Sequence, residues 1–154
     1  MSNHKDNPAK VFLRRYRALV GRVDALKRAI DEAMDRAFGT AVILKEVKVL
    51  SSPAEHDPMA EDVCTAVDAS EILYQYKEQA EAALRDILVA IDSLKDEHQK
   101  ELLTMRYVNG DSFPDIMEKI GYEKTQAYVI HGRALLEINK WLERRVDNGS
   151  GKGI

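Results

Sequence analysis

The sequence predicts an all-α protein: a long helical arm, folded as a hairpin or paired as a coiled coil, followed by a C-terminal bundle of shorter helices. Three observations predict it. The 154 residues include only 8 Gly and 4 Pro, few for a turn-rich β architecture. Hydrophobic residues make up 45% and charged residues 32%, which suits a chain with a buried core rather than a disordered one. Apolar residues recur at steps of 3 and 4 over long stretches, the period of an amphipathic helix. The expected organisation is an arm over 1–94, a bundle over 95–145 and a disordered polar tail over 146–154.

The first arm helix is expected over about 8–38. Asn7 suits its N-cap and Pro8 its first turn. Phe12, Tyr16, Leu19, Val23, Leu26 and Ile30 form a coiled-coil seam, continued by Ala33, Ala37 and Phe38, and Gly39 is a natural stop. Residues 40–58, with a β-branched run and two prolines, read as an irregular or partly extended linker, with a short strand over 42–49 as the alternative. The second arm helix spans about 59–94, with its seam at Leu73, Tyr76, Ala80, Ala83, Ile87, Ala90 and Leu94. The two seams fit either a hairpin within one chain or pairing between chains, and dimerisation through the arm is expected.

Asp96 caps a helix through Leu102, Leu103, Met105 and Tyr107, which Asn109-Gly110-Asp111 stops. Ser112 caps a short helix over 112–120, with Pro114 in its first turn and Asp115 in a variant capping box. Gly121 ends it, and a last helix follows from about 124 through Ile130, Leu135, Ile138, Trp141 and Leu142.

The net charge of −3 hides an asymmetry. Residues 1–30 carry eight Lys/Arg against two Asp, residues 54–97 twelve Asp/Glu against three Lys/Arg, and residues 121–154 six basic against four acidic groups. Nucleic-acid binding by bulk charge is thereby excluded, because such domains are usually basic overall; binding through a local patch, weakly, or with a partner's help remains. Arg14, Arg15, Arg17 and Arg22 read as a solvated face paired with the acidic second helix rather than as a nucleic-acid grip.

Two helices joined by a short glycine turn, the second partly basic, make a helix-turn-helix pattern. Ile116, Ile120, Ile130 and Leu135 would pin the pair together. The start of the second helix would expose Lys124, Thr125, Gln126, Tyr128 and Val129, with His131 and Arg133 beyond. Gln126 has the donor–acceptor pair that reads adenine, Thr125 suits a base edge or a thymine methyl, and Lys124 and Arg133 neutralise phosphates. Tyr128 reads either as a base contact or as half-buried packing. Trp141 reads as core, and Arg106 as a salt-bridge partner of Asp115 or Glu118.

The run Leu102-Leu103-Thr104-Met105-Arg106-Tyr107, with Gly110-Asp111-Ser112, Asp115-Ile116, Ile120-Gly121-Tyr122 and Ala134-Leu135, resembles region 4 of sigma-70-type factors. The layout of the chain is similar to that of RinA-like and ArpU-like late-gene regulators of phages and prophages. The resemblance covers about 86–145 and implies a DNA-binding transcriptional regulator with double-stranded DNA, and RNA polymerase, as partners. It makes 124–140 the recognition helix, places Lys124, Thr125, Tyr128 and Val129 at base-facing positions, and puts a later basic position at Arg133. The chain departs from the family at Glu123, where Ser or Thr is usual, and at Tyr128 and Val129, where Arg and Gln are. No region 2 is present, so promoter melting is not implied. The alternatives are a polymerase-binding adaptor that does not read DNA, or a small-terminase-like packaging protein.

Enzymatic readings find no support. His4, His56, His98 and His131 lack metal-ligand spacing. Cys64, the single cysteine, reads as a buried inert thiol. Gly149-Ser150-Gly151-Lys152-Gly153 lacks the Ser/Thr and the helix that a phosphate loop needs. No cofactor, membrane segment or secretory signal is expected, and the expected location is the cytoplasm.

Overall fold

A computed structural model of the chain describes residues 6–47 and 57–150, and side chains over 6–39 and 57–149. The described residues are all-α, without a strand. The helices are α1 (Pro8–Val47), α2 (Pro58–Asp92), α3 (Glu97–Leu103), α4 (Phe113–Ile120) and α5 (Lys124–Ser150). A π-helical turn, Thr104–Val108, continues α3. Packing divides the chain into two units. A head unit takes Met1–Ala18 and Ala80–Ile154, and an arm unit takes Leu19–Gln79. The first turns of α1 and the last of α2, read from sequence as arm, thus pack with the bundle.

Local signals place most of the boundaries. The Ala9 amide donates to Asn7 Oδ1 (3.0 Å), as an N-cap requires. Asp57 does the same for α2, accepting from the Met59 amide (3.1 Å). Asp96 accepts from the His98 amide, and Ser112 Oγ from the Asp115 amide. Gly110 and Gly121 stop their helices with φ of 80° and 79°, in the left-handed region that glycine enters without a Cβ penalty. After Gly121, the Gly121 and Tyr122 amides both donate to the Met117 carbonyl.

Two boundaries correct the sequence reading. Gly39 does not end α1, which runs on to Val47. Gly39 is not left-handed, and a lone glycine within a helix costs only about 1 kcal/mol against Ala. No proline follows before Pro53, so residues 40–47 are helical rather than irregular or extended, while 48–56 of the expected linker lie outside the described residues. At the other end α5 continues through Ser150. Residues 146–150 of the expected tail are therefore helical, since adding a residue to a formed helix needs no new nucleus; residues 151–154 lie outside the described residues.

In the head unit, Leu13 and Phe12 from α1, Ile87 and Ile91 from α2, Leu102 and Leu103 from α3, Tyr107, Ile116 from α4, and Ala134, Leu135 and Ile138 from α5 form one core. Phe12 packs its ring on Trp141 (5.8 Å between centroids). Asn139 Oδ1 accepts a second bond from the Ala9 amide (2.9 Å), and its Nδ2 donates to Asn7 Oδ1 (3.0 Å). The N-terminus of α1 is thereby tied to α5.

In the arm unit, Arg36 pairs with Asp62 (3.4 Å) and the Arg22 guanidinium sits over the Tyr76 ring (5.6 Å). These two pairings run in opposite chain directions, so α1 and α2 are antiparallel there. Among the described residues of this unit, only Val23, Ala33, Ala37 and Ala66 are buried apolar side chains. Cys64 is exposed, not buried, because it lies off the seam that Ala66 marks.

Candidate nucleic-acid interface

Helices α4 and α5 meet across the Gly121–Glu123 turn. Burial along α5 alternates as an amphipathic helix requires: Ala127, Ala134 and Ile138 are fully buried and His131 nearly so. Lys124, Thr125, Gln126, Tyr128, Val129 and Arg133 are all exposed. Thr125, Gln126, Val129 and Arg133 fall within about 100° of arc, turned away from the core.

Tyr128 lies on the flank of that face, while Lys124, seven residues before His131, is exposed at the first position of α5 on the helix's core side. The Tyr128 ring stacks on Phe113 (4.6 Å between centroids, 24° between planes) while the residue stays 48% exposed. The two sequence readings of Tyr128 therefore merge: one ring face is held by α4, and the rest of the side chain is open. This support from Phe113, at the first position of α4, carries no sequence signal.

His131 departs from its expected place among the exposed residues. It is 7% exposed, and its Nε2 hydrogen-bonds the Tyr107 hydroxyl (2.8 Å). Its position three residues before Ala134 and seven before Ile138 puts it on the core face. Phe113 meets its ring edge-on (5.1 Å). Burial, then the nearby positive charges of Lys10, Arg106 and Arg14, lower its pKa from 6.5 to about 4. Burial likewise raises the Tyr107 pKa, against the opposing pull of Arg14 and Arg106.

Arg106 pairs with neither Asp115 nor Glu118. Its Nη1 donates to the Asp111 carbonyl (3.1 Å), and its guanidinium lies over the Phe113 ring (5.0 Å). The π-helical turn carries it to the glycine stop rather than to the acids of α4. Asp111 instead takes Lys119 (3.2 Å). Asp115, Glu118 and Glu123 remain exposed carboxylates around the α4–α5 turn, so the surface is mixed in charge.

Chemically, this face and its flank offer an amide, a hydroxyl, an aromatic ring and the Arg133 cation, with a second cation, Lys124, at the helix start. Among the described residues no group of three His, Cys, Asp or Glu is placed to hold a metal ion, and no helix is long and apolar enough to cross a membrane. No protein-family model, curated protein or solved structure significantly matches the chain.

Proposed function

We propose that the chain is a sequence-specific DNA-binding transcriptional regulator of phage or prophage type, with α5 as its recognition helix. The observation that carries this reading is the single exposed face of Thr125, Gln126, Val129 and Arg133, flanked by the Phe113-stacked Tyr128, with Lys124 exposed at the helix start. The first turns of α5 enter the major groove. Gln126 reads adenine through its amide, Thr125 and Val129 meet thymine methyls, and Lys124 and Arg133 meet phosphates. Backbone contacts come from the starts of α3 and α4.

Fluorescence anisotropy with duplexes from the neighbouring intergenic DNA tests it. Gln126→Ala and Tyr128→Ala are expected to reduce discrimination between sites, with about 1–3 kcal/mol lost at the base pair that Gln126 reads. Lys124→Ala and Arg133→Ala are expected to weaken binding to all sequences and lower the salt slope by about 1 each. Equal losses on every sequence for all four variants would contradict these roles.

The sequence pI of about 5.8 and the three carboxylates at the turn favour a second reading, an adaptor that binds RNA polymerase without reading DNA. A polymerase pull-down that survives nuclease and high salt, with no anisotropy change on DNA, would select it.

The regulator acts as a dimer through the arm unit. Val63, Val67 and Tyr74 form an exposed apolar stripe at helical steps along α2, beside Ile30 and Met34 of α1. Among the described residues of this unit, the buried side chains are four, three of them alanine, a small core for two long helices that a second copy enlarges. Light scattering should report a dimer that Val67→Glu converts to a folded monomer. A monomeric wild type at about 100 µM would remove the dimer.

A further inference from the structure

Lys10, Arg14 and Arg17 follow one another at steps of 4 and 3 on α1, and so share one face. That face borders the core, because Ala9 and Leu13 beside it are fully buried in the head unit. Among the described residues, Arg14, Arg15 and Arg17 form no ion pair; the paired arginines are Arg36 and Arg145. The expectation that this run is neutralised by the acidic second helix therefore fails for its head-unit members, and Arg22 lies on a tyrosine ring rather than an acid.

Arg17 also has a fixed place beside the turn that leads into α4. The Arg17 guanidinium rests against Gly110, its atoms 2.8–2.9 Å from where a Cβ would stand. Lys10 and Arg14 both lie close enough to His131 to bear on its charge. His131 in turn contacts Phe113, on which Tyr128 stacks. The strip and the reading face are thus linked through two rings within one compact unit. Seven residues of helix rise about 10 Å, the axial length of about three phosphates on one strand of B-DNA.

We propose that Lys10, Arg14 and Arg17 form a second, sequence-independent contact to the DNA backbone, flanking the groove that α5 enters. The proposal rests on the DNA-binding reading and extends its footprint to the N-terminus of the chain. Duplex DNA is favoured over an acidic protein because the three charges form a line rather than a cluster around a pocket.

The test is the salt dependence of binding to a fluorescein-labelled mixed-sequence duplex of about 30 base pairs, by anisotropy of the full chain. Triple replacement Lys10→Gln, Arg14→Gln, Arg17→Gln is expected to lower the slope of log K against log salt by about 2–3. The ratio of affinities between a preferred and a random duplex should stay unchanged. Single variants Arg14→Gln and Arg17→Gln should each lower the slope by about 1 and keep the proposal testable if the triple variant unfolds. Arg15→Gln, on a different face of α1, should leave the slope as it is. A wild type that binds DNA through α5 while Arg14→Gln and Arg17→Gln keep its slope would overturn the strip alone. A wild type that binds no duplex at low salt would overturn the DNA reading and the strip with it, and retention on an acidic protein would then mark a protein interface.

Discussion

Ile116→Ala is expected to destabilise the head unit by about 3 kcal/mol. Ile116 is fully buried and is the only buried residue of α4. Truncating a buried isoleucine to alanine costs about 2–5 kcal/mol, part lost transfer energy and part cavity. The cost should lie well inside that range, because α4 has few other anchors. Eight residues do not hold a helix on their own, and Phe113, Met117 and Ile120 are only partly buried around Ile116. Ile116→Val should cost about 1 kcal/mol. The single tryptophan, Trp141, lies in the head unit against Phe12, so its fluorescence in a urea titration reports on this unit. A loss below 1 kcal/mol for Ile116→Ala would mean that α4 is held by other contacts. Function should follow stability: α4 carries Phe113, and with α4 undocked Tyr128 loses the ring that holds it.

The elements that could be read from sequence are those fixed by contacts within a few residues. Asn7, Asp96 and Ser112 cap their helices because each side chain reaches an amide two or three residues on. Gly110 and Gly121 stop theirs because the required φ is local. The exposed face of α5 follows from period alone. Gly39 misleads because glycine permits a stop without requiring one; without a left-handed φ the helix continues. His131 misleads differently. A polar residue near an exposed run reads as exposed, but its step to Ala134 and Ile138 is the core step, and its buried partner Tyr107 lies 24 residues away. Arg106 and the first turns of α1 also depend on distant partners: the Asp111 carbonyl beyond the π turn, and Asn139 and Trp141 on α5. The π turn matters here, since it rephases the chain by one residue just before the stop.

The buried His131–Tyr107 pair should give the head unit a stability that falls with acid. Among the described residues, the charges that bear on the ring are cations, Lys10 and Arg14 on α1 and Arg106 on the π-helical turn, with Phe113 of α4 packed at its edge. Burial first, and these cations after it, hold His131 neutral, with a pKa of about 4 against 6.5 for the free side chain. Below pH 6.5 the unfolded chain binds a proton that the folded chain refuses. The contribution is therefore complete above pH 6.5, shrinks as pH falls towards 4, and levels off below. One pKa unit corresponds to about 1.36 kcal/mol, so the loss across that window is on the order of 3 kcal/mol. His131→Gln keeps a group that can bond the Tyr107 hydroxyl and removes the titration. Urea midpoints from Trp141 fluorescence at pH 7, 6, 5 and 4.5 should fall more steeply for the wild type than for this variant. Carboxylate protonation acts on both proteins alike, so the difference between the two curves isolates the imidazole. Parallel curves would mean that the ring gains its proton without leaving the core, through a local opening between α1 and α5 that admits water. In that case the three cations would stand further from His131 than the folded arrangement places them.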